Sequence, residues 1–198
     1  FLSLETLLAQ EGRSVSVEDL AARTILTDIF IGAMPPFEEG ELKLSIRSLE
    51  HVGSLYGVTL YPAEIDYEEL KAMVLSGKKV VIRLKGDHYT LVTGFETVTE
   101  TRTVFQDGRQ MSVQVEVEKV KTLERNKGRV GEEVVVTKEG FLDAWTLENS
   151  AQGYVLTPVA LAPEGNGRIL DHGESRSIKG AFFFFIGFII AAIIAAIQ

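Results

Sequence analysis

His88 and Asp107 are the two side chains of this sequence that are best suited to act together in catalysis. His88 opens an apolar run that continues to Phe95, and Asp107 follows another short run in an Asp-Gly turn pair. We therefore expect His88 at the start of one strand and Asp107 at the end of a neighbouring strand. A carboxylate in that position fixes the imidazole tautomer, which would supply two members of a nucleophilic triad. The alternative is a solvated histidine at a strand end, beside a turn aspartate.

Periodic segments before and after this pair predict the elements that position it. Apolar residues at helical spacing predict helices at 3–10, 17–27, 42–56 and 67–75, with Ser16 and Asp66 as N-caps of the second and fourth. Short β-rich runs predict strands at 58–62, 80–84, 89–95, 104–105, 111–118, 130–136 and 154–161. Within 111–118, apolar and polar residues alternate, which is typical of a half-solvated antiparallel strand that 130–136 can pair with.

Composition excludes several classes of function. The chain has 198 residues and a net charge of −8, which argues against nucleic acid as a partner. It contains no cysteine, so it has neither disulfides nor a thiolate metal site. Its histidines, His51, His88 and His172, are too far apart for zinc-ligand spacing. We therefore expect no metal and no cofactor.

The segment from Gly86 to Phe95, followed by Val-Phe-Gln-Asp-Gly at 104–108, resembles the His and Asp segments of the bacteriocin-processing, double-glycine cysteine peptidases. Four other segments, 4–12, 44–58, 66–78 and 137–145, are similar to helices of that family in the same order. The resemblance covers roughly residues 1 to 160. It implies an α+β, papain-like fold in which helices pack on an antiparallel sheet. It also implies that Trp145 is buried under that sheet.

The family's nucleophile is absent from this sequence. In the family, a cysteine opens the first helix, and the likeness of 4–12 to that helix places the cysteine just before Phe1. His88 and Asp107 would then be a relic pair. Three functions follow as hypotheses: a non-catalytic domain, an active leader peptidase whose cysteine lies upstream of Phe1, and a peptide-binding module that uses the old substrate cleft.

Composition changes abruptly at Gly180. The 18 residues from Gly180 to Ile197 carry no charge, and as a helix they would span about 27 Å, close to the thickness of a bilayer core. Small residues recur within this segment at a spacing that lets helix backbones approach closely. These residues are Gly187, Ala191, Ala192, Ala195 and Ala196. The segment therefore predicts a transmembrane or assembly helix.

The predicted organisation has three parts: a papain-like domain at 1–162, a polar linker at 163–179 and the hydrophobic helix at 180–198. We expect the domain to be displayed at a membrane or an extracellular surface, after removal of an N-terminal leader. The expected partners are copies of the same chain through the helix, the lipid bilayer, and a peptide in the relic cleft. The preferred hypothesis is a non-catalytic, self-assembling or membrane-anchored surface subunit.

Overall fold

A mainly antiparallel sheet with helices on both faces forms the centre of the protein, in a computed structural model that describes residues 1–33, 42–106, 108–123, 131–161 and 165–182. The helices are α1 (Leu2–Gln10), α2 (Val17–Phe30), α3 (Ile46–Leu55), α4 (Tyr67–Leu75), α5 (Lys138–Trp145) and α6 (His172–Ser177). The strands are β1 (Leu42–Ser45), β2 (Tyr61–Asp66), β3 (Val80–Leu84), β4 (His88–Gln106), β5 (Arg109–Leu123), β6 (Glu133–Thr137), β7 (Gln152–Thr157), β8 (Arg168–Ile169) and β9 (Lys179–Phe182). The expectation of an α+β protein with an antiparallel sheet is confirmed.

The strands lie in the order β1-β9-β4-β3-β7-β2-β8. β5 pairs with β4 from Val92 onward, and β6 pairs with the last residues of β5. A single parallel pair, His88 with Ala181, joins β4 to β9. β4 is therefore the strand through which the main sheet continues into the β5–β6 part.

Side chains of the central strands point alternately to the two faces of the sheet, and each face has its own hydrophobic core. On β3, Val81 packs with α1, α2 and α3, whereas Val80 and Ile82 pack with α4 and α5. Leucines of α1 contribute to the first core, and two of them, Leu7 and Leu8, are fully buried. A strand that is buried on both faces needs apolar residues at consecutive positions, which explains the uninterrupted run in β3.

Trp145 anchors the second core. It is 1% exposed, its indole Nε1 donates to the carbonyl of Tyr154 at 3.3 Å, and its ring centroid lies 5.4 Å from that of Phe141. Burying the aromatic ring while its N–H keeps a partner is the favourable arrangement for tryptophan. The predicted burial of Trp145 under the sheet is confirmed.

The predicted helix caps at Ser16 and Asp66 are also confirmed. The Ser16 hydroxyl accepts from the backbone N–H of Asp19 at 3.1 Å. The Asp66 carboxylate accepts from the backbone N–H of Glu69 at 2.9 Å, and the Glu69 carboxylate accepts in return from the N–H of Asp66. Each cap satisfies a backbone donor that the helix itself leaves without a partner.

The helix predicted at 42–56 begins four residues later than expected. Residues 42–45 form β1, which pairs with β9 from Leu42↔Phe182 to Ser45↔Lys179. Ser45 then caps α3, its hydroxyl accepting from the N–H of Ser48 at 3.1 Å. The apolar spacing was compatible with a helix, but pairing with a distant strand decided the conformation of these four residues.

Residues 165–179, the described part of the segment predicted to be a linker, belong to the folded domain. β8 pairs with β2, and α6 begins with a capping box between Asp171 and Glu174. Leu170 and Ile178 are 4% and 6% exposed because they pack into the first core. The polar composition of 163–179 concealed two buried apolar residues that are enough to fix the segment.

The start of the predicted hydrophobic helix also lies in the sheet, since Gly180 belongs to β9. Residues 183–198, with Gly187, Ala191, Ala192, Ala195 and Ala196, lie outside the described residues. Within the described ranges, no helix is long and apolar enough to cross a bilayer.

We predict that Gly180→Ala destabilises the domain, because a Cβ at this position would lie 2.1 Å from Cε2 of the buried Tyr89 ring. Overpacking of this kind costs about 1–3 kcal/mol, measured as the free energy of unfolding in urea. The matched control is Gly94→Ala, where the nearest atom would be Cδ of Lys121 at 3.6 Å. Equal stability of the two variants would show that β9 does not stack on Tyr89.

Candidate functional site

His88 lies at a corner of the sheet where three strands meet. It is the first residue of β4, it pairs with Leu84 of β3, and its backbone pairs with Ala181 of β9. Its side chain is partly exposed. The sequence correctly predicted its position at the start of a strand.

The three-residue turn before His88 carries an ion-pair cluster. Gly86 and Asp87 have positive φ values of 77° and 59°, a conformation that glycine and aspartate tolerate better than most residues. The Asp87 carboxylate bonds to the Arg83 guanidinium and lies 3.1 Å from the Lys43 ammonium. Burial raises the pKa of Asp87, but the hydrogen bond from Lys43 and the charge of Arg83 outweigh that effect, so the pKa lies below its usual value.

Tyr89 and Arg83 connect this corner to β1 and to the backbone at the start of β9. The Tyr89 hydroxyl lies 3.3 Å from the carbonyl of Leu44 and 3.2 Å from that of Ile178, and burial raises the pKa of the phenol. The Arg83 Nε donates to the carbonyl of Lys179 at 2.6 Å. The polar groups around His88 therefore hold strands together. Gly86 and Asp87 were the only sign of this cluster visible from the sequence, and nothing in the sequence pointed to Lys43.

The expected partner of His88, Asp107, lies outside the described residues, so the pair stays a prediction. The strands around it differ from the expected ones, because β4 is one strand of 19 residues where the sequence predicted two strands separated by a polar loop. Gln106 lies at the opposite end of this strand from His88. The strand end that does return to the His88 corner is that of β5, since the Thr90 hydroxyl donates to the carbonyl of Leu123 at 2.7 Å.

The continuous β4 produces a feature that the sequence did not predict, a two-stranded arm. We call it the ribbon: residues 97–106 of β4 and 109–118 of β5. Its pairs run without a break from Thr97↔Glu118 to Gln106↔Arg109. Among the described residues, these two stretches pair only with each other. Two ion pairs of Glu118 connect the base of the ribbon to the helices. Its carboxylate bonds to Lys71 of α4 and lies 3.4 Å from the ammonium of Lys138 in α5.

The two faces of the ribbon differ in polarity. Directly opposed residues of an antiparallel pair share a face, so the register assigns every side chain of the ribbon to one face or the other. One face carries a valine-rich stripe: Val98, Val104, Met111, Val113, Val115 and Val117. The other face carries four threonines of β4, at positions 97, 99, 101 and 103. Two large apolar residues near the tip of the ribbon are exposed: Phe105 is 78% exposed and Met111 is 47% exposed.

A few charges interrupt the valine stripe. Glu100 lies 2.9 Å from the Lys119 ammonium and 3.6 Å from the Arg102 guanidinium. The hydrogen bond from Lys119 is the main cause of a lowered pKa of Glu100. Arg102 keeps 55% of its side chain exposed, so its guanidinium remains accessible on the same face.

A shallow groove of about 350 Å³ lies beside the end of α2, where Arg176 and Lys179 supply positive charge. Both cationic side chains already donate hydrogen bonds to backbone carbonyls. Arg176 donates to the carbonyl of Gly32 at 3.2 Å, and Lys179 donates to that of Ala33. Within the described part of the chain, no three His, Cys, Asp or Glu residues are grouped so as to hold a metal ion. The ribbon and the His88 corner are thus the two candidate sites.

Comparison with known proteins adds no assignment, since no protein-family model matches this chain, and neither a curated protein nor a solved structure matches it. The functional argument therefore depends on the geometry of this molecule.

We predict that Asp87→Asn destabilises the domain at pH 7 and that the difference from wild type disappears on acidification. A carboxyl whose pKa is lowered by folding contributes stability above its unfolded pKa, about 3.9, and loses that contribution as the pH falls through its lower folded pKa. Asparagine tolerates the positive φ at this position, so the backbone of the turn should be preserved. Urea unfolding at pH 7 and pH 3 measures the effect.

The control for this experiment is Asp143→Asn, which changes an exposed carboxylate on α5. We expect it to leave stability unchanged at both pH values. A constant difference between Asp87→Asn and wild type at pH 7 and pH 3 would contradict the assigned ion pairs.

Proposed function

We propose that this chain is a non-catalytic interaction module, in which a papain-like domain presents the ribbon to protein partners and the apolar segment 183–198 anchors copies of the chain close to one another. The observation that carries the proposal is the ribbon itself. It extends the sheet by ten residues of each strand and carries exposed Phe105 and Met111 at its tip.

A two-stranded ribbon that packs against nothing else has little stability of its own, so its presence suggests that a partner covers it. Isolated hairpins are marginal in water, and a sheet edge that stays open invites pairing with another chain. The two strands of this ribbon pair with each other along their whole length, and no other strand among the described residues pairs with their outer edges. An open sheet edge is the feature that recognition by strand addition uses. Burying an exposed phenylalanine contributes about 1.5–3 kcal/mol, so a partner that covers the tip would gain substantially.

The composition of the C-terminal segment supports the second half of the proposal. Residues 183–197, which follow β9 directly, carry no charge, and their small residues suit close helix contact. β9 itself is held in the sheet by β1. A domain tethered in this way would present its ribbon at a fixed position relative to a membrane or an assembly core.

The papain-like fold and the active leader peptidase remain proposals that rest on the resemblance around His88. The described helices and strands support the fold, because helices cover both faces of an antiparallel sheet and the His88 segment forms a central strand. The enzyme is the second candidate, favoured by the partly exposed imidazole at the His88 corner. Cleavage of a double-glycine leader peptide that His88→Ala abolishes would favour the enzyme over the interaction module.

We predict that removing the ribbon abolishes association but preserves the fold. Val98 and Val117 are register partners, so replacing 99–116 with Asn-Gly joins them by a two-residue hairpin turn. Sedimentation velocity of the whole chain in mild detergent measures association, and Trp145 fluorescence with thermal unfolding reports the fold. We expect wild type to sediment as oligomers and the shortened variant as monomers.

The matched comparison is Ala192→Leu with Ala196→Leu, which changes only the C-terminal segment. It tests whether that segment contributes to association independently of the ribbon. If the shortened variant sediments like wild type, the ribbon is not an interaction arm and the proposed function fails.

A further inference from the structure

Both outer edges of the ribbon are open to strand pairing among the described residues, and one of these edges is formed by β4. β3 covers β4 only from His88 to Val92, and β5 occupies the opposite side of the strand. Among the described residues, no strand pairs with the β3-side edge of β4 after Val92. Backbone donors and acceptors along this edge are therefore a template for another strand.

The sequence along this edge complements itself. From Val98 to Val104 it reads Val-Thr-Glu-Thr-Arg-Thr-Val, which is symmetric about Thr101 except that Glu100 is matched by Arg102. If two copies pair antiparallel with Thr101 opposite Thr101, each Glu100 faces an Arg102 of the other copy. Val98 faces Val104, and Thr99 faces Thr103. Opposite charges, threonine pairs and β-branched pairs are all favourable cross-strand neighbours.

We propose that a second copy of this chain pairs with this edge, so that two ribbons form a four-stranded antiparallel sheet with a two-fold axis at Thr101. Glu100 and Arg102 form two reciprocal ion pairs across the axis. The valine stripes of the two copies then lie on the same face of the combined sheet, because opposed residues share a face. The contact is isologous, as in most dimers.

The charges select this register over its neighbours. Moving the axis to residue 100 places Glu100 opposite Glu100, and moving it to residue 102 places Arg102 opposite Arg102. Like charges directly opposite destabilise a strand pair. A shift of the pairing by one residue puts the valine stripes of the two copies on opposite faces of the sheet. Of the axes at residues 100, 101 and 102, only the one at Thr101 gives both matched charges and a continuous stripe.

This inference rests on the proposed function, because a single pair of strands is a small interface and such contacts are weak. The C-terminal segment can compensate for this weak affinity by raising the local concentration of the copies. Tethered copies reach millimolar effective concentrations, at which a weak strand pair is occupied. The segment therefore raises the local concentration of the copies, whereas stable association in mild detergent requires the ribbon.

Single cysteines test the register, since the chain has no cysteine of its own. In the proposed dimer, the Cα atoms of residue 101 in the two copies lie about 5 Å apart, within reach of a disulfide. Those of residue 99 lie about 14 Å apart, which is too far. With the full chain in mild detergent and a mild oxidant, we expect Thr101→Cys to form disulfide dimers about tenfold faster than Thr99→Cys.

A mixture of Thr99→Cys and Thr103→Cys proteins provides the positive control, because the proposed register places residues 99 and 103 opposite each other. We expect heterodimers to dominate in this mixture. If Thr101→Cys is no faster than Thr99→Cys, while the ribbon-shortened chain is monomeric, the register is wrong and the proposed function stands. If the shortened chain also associates normally, both proposals fail.

Charge exchange provides an independent test. Glu100→Arg and Arg102→Glu should each weaken dimers of their own kind, because each variant opposes like charges in both pairs. Mixing the two variants, or combining both substitutions in one chain, restores opposite charges and should restore dimers by sedimentation. Glu116→Arg, an exposed position on β5, is the matched control and should leave dimers intact. Dimers of equal strength in all variants would overturn the proposal.

Discussion

The bulge between Val92 and Gly94 divides β4 into a buried strand and an exposed arm. Before the bulge, Tyr89 and Leu91 face the core formed with α1, α2 and α3. After it, Phe95 faces the opposite core and meets Tyr67 with a centroid distance of 5.7 Å. One extra residue thus reverses the alternation of side chains, as bulges do. Without that reversal, the valine stripe and the threonines of the ribbon would exchange faces.

The buried half of β4 gives the arm a rigid base. The Tyr89 hydroxyl lies near the carbonyls of Leu44 in β1 and of Ile178 just before β9, and Arg83 on β3 donates to the carbonyl of Lys179 in β9. Further along, Glu118 is held by cations from two helices. Interactions of this kind are costly to break once they are buried, because each would leave a polar group without a partner. The ribbon therefore leaves the domain in a defined direction, which is the property that an interaction arm needs.

Local signals in the sequence predicted much of the framework. Ser16 and Asp66 identified two helix starts, and the aromatic Trp145 was correctly expected in the core. These predictions succeeded because capping and burial depend on residues that are close in sequence or strongly apolar. The alternation in β5 was equally visible, and a return strand was expected at 130–136. β6 is that strand, but it pairs with Lys119–Leu123 and not with 111–118.

Long-range pairing accounts for what the sequence concealed. Leu42–Ser45 forms a strand because β9, more than 130 residues later, lies beside it. The polar stretch after Phe95 looked like a loop, yet its threonines have a high strand propensity and β5 pairs with every residue of it. The candidate pair at His88 and Asp107 depended on that loop. The self-complementary stretch around Thr101 becomes meaningful only when the strand is known to have an open edge.

Hydrogen–deuterium exchange of the full chain, measured at increasing protein concentration, tests directly whether copies of the chain pair through the β4 edge of the ribbon. We expect amides in the peptide covering 97–105 to gain protection as copies associate, because strand addition occurs on the β4 edge. The peptide covering 109–118 should change little. Exchange in 97–105 that is independent of concentration, in a sample that sedimentation shows to be oligomeric, would contradict the account.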